Sequence, residues 1–145
     1  MNDAETTLRL DIANRLDALN EALERLEAFL EAEGAPLKLA YVARLTLEEL
    51  ATNTIKYGYD NPDEHHIGVV VQLGSPATMT IEDDGHPFNP LTDAPEPDLA
   101  ASAEDRPIGG LGLHMVKSLT ASLDYQRQGH YNRLRVVFAD GDGAT

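Results

Sequence analysis

Three short stretches carry residue types that could do chemistry. In the first, Glu49, Asn53 and Lys56 follow one another at helical spacing, and with Val42 and Thr46 they form one stripe at 100° per residue. A carboxylate, an amide and an ammonium thus stand in a row. Beside them a second stripe, Ala43, Leu47, Leu50, Thr54 and Tyr57, can pack on a sheet. Solvated helices also show polar rows, so this segment alone leaves both uses open. The second stretch, Asp83-Asp84-Gly85-His86-Pro87-Phe88, ends a strand pattern. Asp83 could accept a hydrogen bond from an amine at the floor of a pocket, and Gly85 could let a flat ring approach the backbone. An Asp-Gly pair can equally be a turn and nothing more. The third, Gly109-Gly110-Leu111-Gly112-Leu113, is flexible backbone just before a helix, where free N–H groups and the helix dipole attract phosphate oxygens. It lacks the Gly-Lys-Ser/Thr ending of a Walker loop, and Met115 stands where a dinucleotide fingerprint needs a third glycine. A flexible hinge is its other reading.

The surrounding patterns predict the elements that hold these stretches. Thr7 to Ile12 alternates as a half-buried strand. Asn14, with Asp17 three residues on, is a candidate helix start, and Leu16, Leu19, Leu23, Leu26 and Leu30 then recur at helical spacing toward Gly34. Pro36 suits the first turn of a second helix, which carries Glu49 and Asn53 and ends by Gly58. Ile67 to Leu73 and Thr78 to Glu82 read as antiparallel neighbours joined by Gly74-Ser75-Pro76. Phe88 to Ile108, with four prolines and five acidic residues, reads as a long lid loop. A short helix to about Thr120, strands over Leu123 to Gln128 and Asn132 to Phe138, and a frayed tail from Asp140 to Thr145 complete the chain. The order β-α-α-β-β-loop-α-β-β makes one α+β domain over residues 1–145, a two-layer sandwich with helices on one face of a mixed sheet.

At 145 residues the chain is long enough to bury a real core. Eleven basic against 25 acidic residues leave a net charge of −14, a field that repels nucleic acid and anionic membrane and favours a basic protein surface. Without cysteine there are no disulfides and no zinc-thiolate sites. His65 and His66 are adjacent and would face opposite sides of a strand, a poor chelate. No apolar run has transmembrane length and no signal peptide opens the chain, so the expected compartment is the cytoplasm.

In this order, the three stretches resemble the N, G1 and G2 boxes of the GHKL ATPase superfamily, which includes gyrase, histidine kinases and mismatch-repair ATPases. Glu49-x-x-x-Asn53-x-x-Lys56-Tyr57-Gly58, Asp83-x-Gly85-x-Pro87-Phe88 and Ile108-Gly109-Gly110-Leu111-Gly112-Leu113 in so small a chain resemble its RsbW-type branch. Those proteins are anti-sigma factors that are also serine/threonine protein kinases. The resemblance covers nearly the whole chain and implies the Bergerat, or histidine kinase-like ATPase, fold. It implies ATP and Mg²⁺ as cofactors, with Asn53 ligating the metal, Glu49 as general base toward a serine hydroxyl, and Lys56 offsetting phosphate charge. Asp83 would receive the adenine amino group with Gly85 beneath the ring, and Pro87 and Phe88 complete that motif. Gly109, Gly110, Leu111, Gly112 and Leu113 would hold the phosphates under the closing lid. Arg135 or Val136 would stand where wider-superfamily relatives place a last-strand threonine near adenine. The implied partners are a sigma factor and an anti-anti-sigma (STAS-type) protein, with a homodimer also implied and no direct contact with nucleic acid or membrane. Two other uses stay open: an ATP-binding module that only sequesters a partner, and a detached histidine-kinase-like catalytic domain.

Overall fold

The computed structural model describes residues 6–93 and 110–139. Its elements in chain order are β1 (Thr7–Ala13), α1 (Leu16–Ala32), α2 (Leu37–Tyr57), β2 (His66–Gln72), β3 (Thr78–Asp83), α3 (Gly110–Leu119), β4 (Thr120–Gln128) and β5 (Tyr131–Phe138). The strands make one sheet in the order β1-β2-β3-β5-β4.

Alternation along the strands decides the layers. Leu10, Ile12, Ile67, Val69, Val71, Met79, Ile81, Leu134, Val136 and Phe138 are buried on one face. Arg9, Asp11, Glu82, Arg133 and Arg135 are exposed on the other. The helices cover the buried face: Leu19, Leu23, Leu26 and Leu30 of α1 share a core cluster with Ala43, Leu47, Leu50 and Ala51 of α2. This is the expected two-layer α+β arrangement.

The sheet itself is antiparallel throughout its described ladders, not mixed. After β3 the chain crosses over and lays β4 one position out, and the β4–β5 hairpin returns β5 into the gap. β3 and β4 run the same way, but β5 separates them, so no parallel pair forms. The start of α1 also differs. Arg15 is its N-cap and no side chain caps it. The Asn14 side chain is committed to the approach to β2, accepting from the His65 N–H at 3.0 Å and donating to the Asp63 carbonyl at 3.3 Å. Pro36 sits just ahead of the first turn of α2, at its N-cap. The segment expected to open a lid at Phe88 instead begins as a packed turn. Phe88 and Leu91 are buried, and Asn89 accepts from the Thr92, Asp93 and Leu91 N–H groups. Apolar burial at two positions ties that stretch to the core. The remainder of the expected lid, 94–108, and the tail, 140–145, lie outside the described residues.

Leu47 is fully buried in the cluster that seats α2 on the sheet. Leu47→Ala therefore lowers stability by about 2–5 kcal/mol in urea unfolding, the range for a core leucine cut to alanine. A loss below about 1 kcal/mol would mean that α2 is not seated as described.

Candidate functional site

On α2 the two stripes separate as their chemistry requires. Ala43, Leu47, Leu50 and Thr54 are buried, whereas Tyr57 is left half-exposed with its ring 6.3 Å from that of Phe88. In the other stripe Val42 and Thr46 also belong to the interior, the Thr46 hydroxyl donating to the Val42 carbonyl at 2.7 Å. The polar row that remains is Glu49, Asn53 and Lys56, of which Asn53 is buried and Lys56 exposed. Glu48 points elsewhere and takes a 3.1 Å bond from Arg44, which also holds Glu27 of α1.

Glu49 meets α3. A Cβ at Gly112, in the first turn of α3, would lie 2.3 Å from the Glu49 carboxyl carbon. Glu49 Oε1 is buried and has no hydrogen-bond partner among the described residues. Burial first, then the neighbouring Glu48 charge, push this carboxyl above its ordinary value, with Lys56 opposing. Of the remaining glycine-loop positions, Gly110 opens α3, Leu113 packs on the core, and Gly109 lies outside the described residues.

Asp83 forms the second cluster. Its Oδ2 accepts from the Gly85 N–H at 2.9 Å and the Asn132 amide at 3.0 Å. Burial raises its carboxyl above the ordinary value despite those bonds and Arg127, and Asp84 adds to the rise. Burial and the charges of Asp83 and Asp84 likewise push the Tyr59 hydroxyl up, and that hydroxyl is buried with no partner among the described residues. A Cβ at Gly85 would lie 2.2 Å from the Gly58 carbonyl oxygen. Glycine is thus demanded by the chain leaving α2, whether or not a ring also lies there. The His86 N–H donates to the same carbonyl at 3.0 Å, and Arg127 donates to the Gly85 carbonyl at 2.7 Å. Pro87 is exposed and Phe88 buried.

Asn132, Tyr125 and Arg127 were not among the residues singled out from sequence. Asn132 donates to Asp83 and to the His86 carbonyl, and accepts from the Phe88 N–H and the Tyr125 hydroxyl. An amide has two donors and one oxygen with two lone pairs, so every valence is in use. Neither Arg135 nor Val136 stands at Asp83. Register places Arg135 opposite Thr80 on the exposed face and Val136 opposite Met79 in the core, while Asn132 faces Asp83. Strand alternation held the signal: Asn132, Leu134, Val136 and Phe138 share the inward face, and only Asn132 is polar.

The two clusters lie along α2. Glu49, at α3, and Gly58, at the Gly85 turn, are nine residues apart in sequence, or about 13 Å of helical rise. Asn53 sits between them, one turn beyond Glu49. An amine acceptor thus lies at one end and backbone suited to phosphate at the other. Among the described residues no three His, Cys, Asp or Glu side chains gather into a metal cage. A divalent ion beside Asn53 would draw most ligands from phosphate and water, as Mg²⁺ does. The buried Asn53 amide supplies a hard oxygen of the kind such an ion takes.

Residues 12–138 match the histidine kinase-like ATPase domain. The chain belongs to that family. It is also 26% identical over 139 residues to the serine/threonine-protein kinase BtrW of Bordetella bronchiseptica, covering 94% of this chain and 95% of that protein. Both findings agree with the resemblance to the GHKL superfamily and its RsbW-type branch. As a histidine kinase-like ATPase domain, the chain is an ATP-binding, kinase-like module. Among the described residues no helix is long and apolar enough to cross a membrane.

Two measurements check this site. A raised carboxyl in the folded state binds protons that the unfolded chain has already lost, so stability falls as pH rises from the ordinary carboxylate range through the raised value. Glu49→Gln removes that penalty at one position. The nucleotide-free variant is expected to unfold at higher urea than wild type near neutral pH, the gap closing in acid. Asn132→Leu leaves partners unsatisfied at Asp83, His86, Phe88 and Tyr125 and lowers stability by at least about 2 kcal/mol. Arg135→Leu, on the exposed face, changes it by less than about 0.5 kcal/mol.

Proposed function

We propose that the chain is an ATP- and Mg²⁺-dependent serine/threonine protein kinase of the anti-sigma type, binding a sigma factor and phosphorylating an anti-anti-sigma (STAS-type) protein in the cytoplasm. The observation that carries this reading is Glu49, a carboxylate with a buried oxygen that has no partner among the described residues and a raised proton affinity, one turn from Asn53 and against α3. A module that only sequesters a partner gains nothing from such a group, which costs stability. The serine/threonine kinase BtrW, similar along nearly its whole length, supports the same assignment.

In the proposed reaction the serine or threonine oxygen bonds to the γ-phosphorus of ATP. The bond from that phosphorus to the bridging oxygen breaks, ADP leaves with the electron pair, and Glu49 takes the hydroxyl proton. Asn53 would hold Mg²⁺, which when bound offsets charge on the phosphates. Lys56 adds a positive charge beside Glu49, and the backbone of Gly110 to Leu113 offers N–H groups to phosphate oxygens. Asp83, with Oδ2 already engaged, has Oδ1 to accept the adenine amine. Catalysis then rests on positioning and charge neutralisation. A net charge of −14 favours partners with basic surfaces.

Purified protein, Mg²⁺ and radiolabelled ATP should label the cognate antagonist with acid-stable phosphate. Glu49→Ala should cut the rate at least about 100-fold, the lower range for loss of a general base. Acid-labile label would assign the chain instead as a detached histidine-kinase-like domain. ATP binding by calorimetry without any labelling would leave a sequestering module. No ATP binding at all would defeat both.

A further inference from the structure

We infer that Gly112 is a positioning residue for Glu49: the side chain it lacks leaves the volume in which the Glu49 carboxylate is held against the first turn of α3. The inference deepens the proposed kinase reading and rests on it for the role of Glu49 as base. A Cβ at Gly112 would meet the Glu49 carboxyl carbon at 2.3 Å and its two oxygens at 2.4 and 2.7 Å. Such approaches are far inside van der Waals contact, so one of the two residues must give way. The three nearest atoms are all at the functional end of Glu49. Glycine also runs against local preference here, because alanine is the better helix former. Phosphate cradling by backbone N–H groups requires only that the backbone be reachable. It does not explain a carboxylate filling the place of a side chain.

The contact has a chemical consequence. Oε1 of Glu49, against α3, is buried and has no donor among the described residues, so that side of the carboxylate is shielded from water. A base kept this way holds its proton more tightly than one in water. The same glycine that opens the α3 backbone to phosphate therefore sets the environment of the base.

The test uses carboxyl-labelled glutamate in the nucleotide-free protein, with the Glu49 resonance identified by its loss in Glu49→Gln. In wild type this resonance should titrate above the other glutamates. In Gly112→Ala it should move down to join them, because the carboxylate is driven out toward water. Met115→Ala, at an exposed position of the same helix, should leave it unmoved. A folded Gly112→Ala with the wild-type titration, or a wild-type Glu49 that titrates with the rest, overturns the inference. If Gly112→Ala does not fold, Gly112→Ala/Glu49→Asp should restore folding by withdrawing the carboxylate. A double variant that stays unfolded places the clash elsewhere and also overturns the inference. The measurement needs neither nucleotide nor partner, so a failed labelling assay and a failed titration are separate results.

Discussion

The seating of α2 governs the molecule. Its apolar stripe is spent on the sheet, and its polar row emerges where two other segments approach it closely. At its end the Gly58 carbonyl presses on Gly85, and in its middle Glu49 presses on Gly112. Both approaches are closer than any residue with a side chain tolerates. The two glycine-bearing motifs are therefore joined through one helix, and their separation is set by helical rise along α2. A ligand that spans both ends is measured against a rigid ruler, not against loops.

That arrangement places polar groups where they are costly. Asp83 and Asn132 are almost fully buried, and Glu49 and Tyr59 each bury an oxygen with no partner among the described residues. Asn132 limits the cost at one end by using all of its hydrogen-bonding capacity on four neighbours drawn from β3, β4 and the turn after β3. No group among the described residues does the same for Oε1 of Glu49. Unsatisfied buried oxygens thus remain at both ends among the described residues, the Tyr59 hydroxyl near Asp83 and Oε1 of Glu49 at α3. Buried polar groups left in this state cost stability, and such groups cluster at functional sites.

Much of this was legible in the residues. The leucine repeat of α1, the paired stripes of α2 and the alternation of β1 and β3 each follow one period over enough residues to name the element. The three motifs were legible because each combines unusual residue types at short range. What failed needed pairing across long distances. The sheet looked mixed because nothing local says that β5 inserts between β3 and β4. Asn14 looked like a helix cap because its partners, Asp63 and His65, are about fifty residues away in sequence. Arg135 or Val136 was expected at the last-strand position near adenine, whereas Asn132 is the residue opposite Asp83, because register across β3 and β5 is a property of the pair of strands, not of either one. Phe88 and Leu91 carried a burial signal that a proline-rich, acidic surrounding obscured.

The charge of the chain bears on the same design. A protein at −14 repels a polyphosphate at long range, so whatever attraction a nucleotide meets must come from close, oriented groups. The described groups of that kind are few: Lys56 beside Glu49, Arg127 beside Asp83, and backbone N–H groups at the start of α3. Arg127 already donates to the Gly85 and Gly129 carbonyls, so its charge steadies the turn more than it awaits a ligand. A divalent ion at Asn53 would supply what the side chains do not, one turn from a carboxylate with one buried oxygen that has no donor among the described residues. Under the proposed kinase reading, binding would depend on a metal-bearing phosphate, whose arrival would change the electrostatics around Glu49.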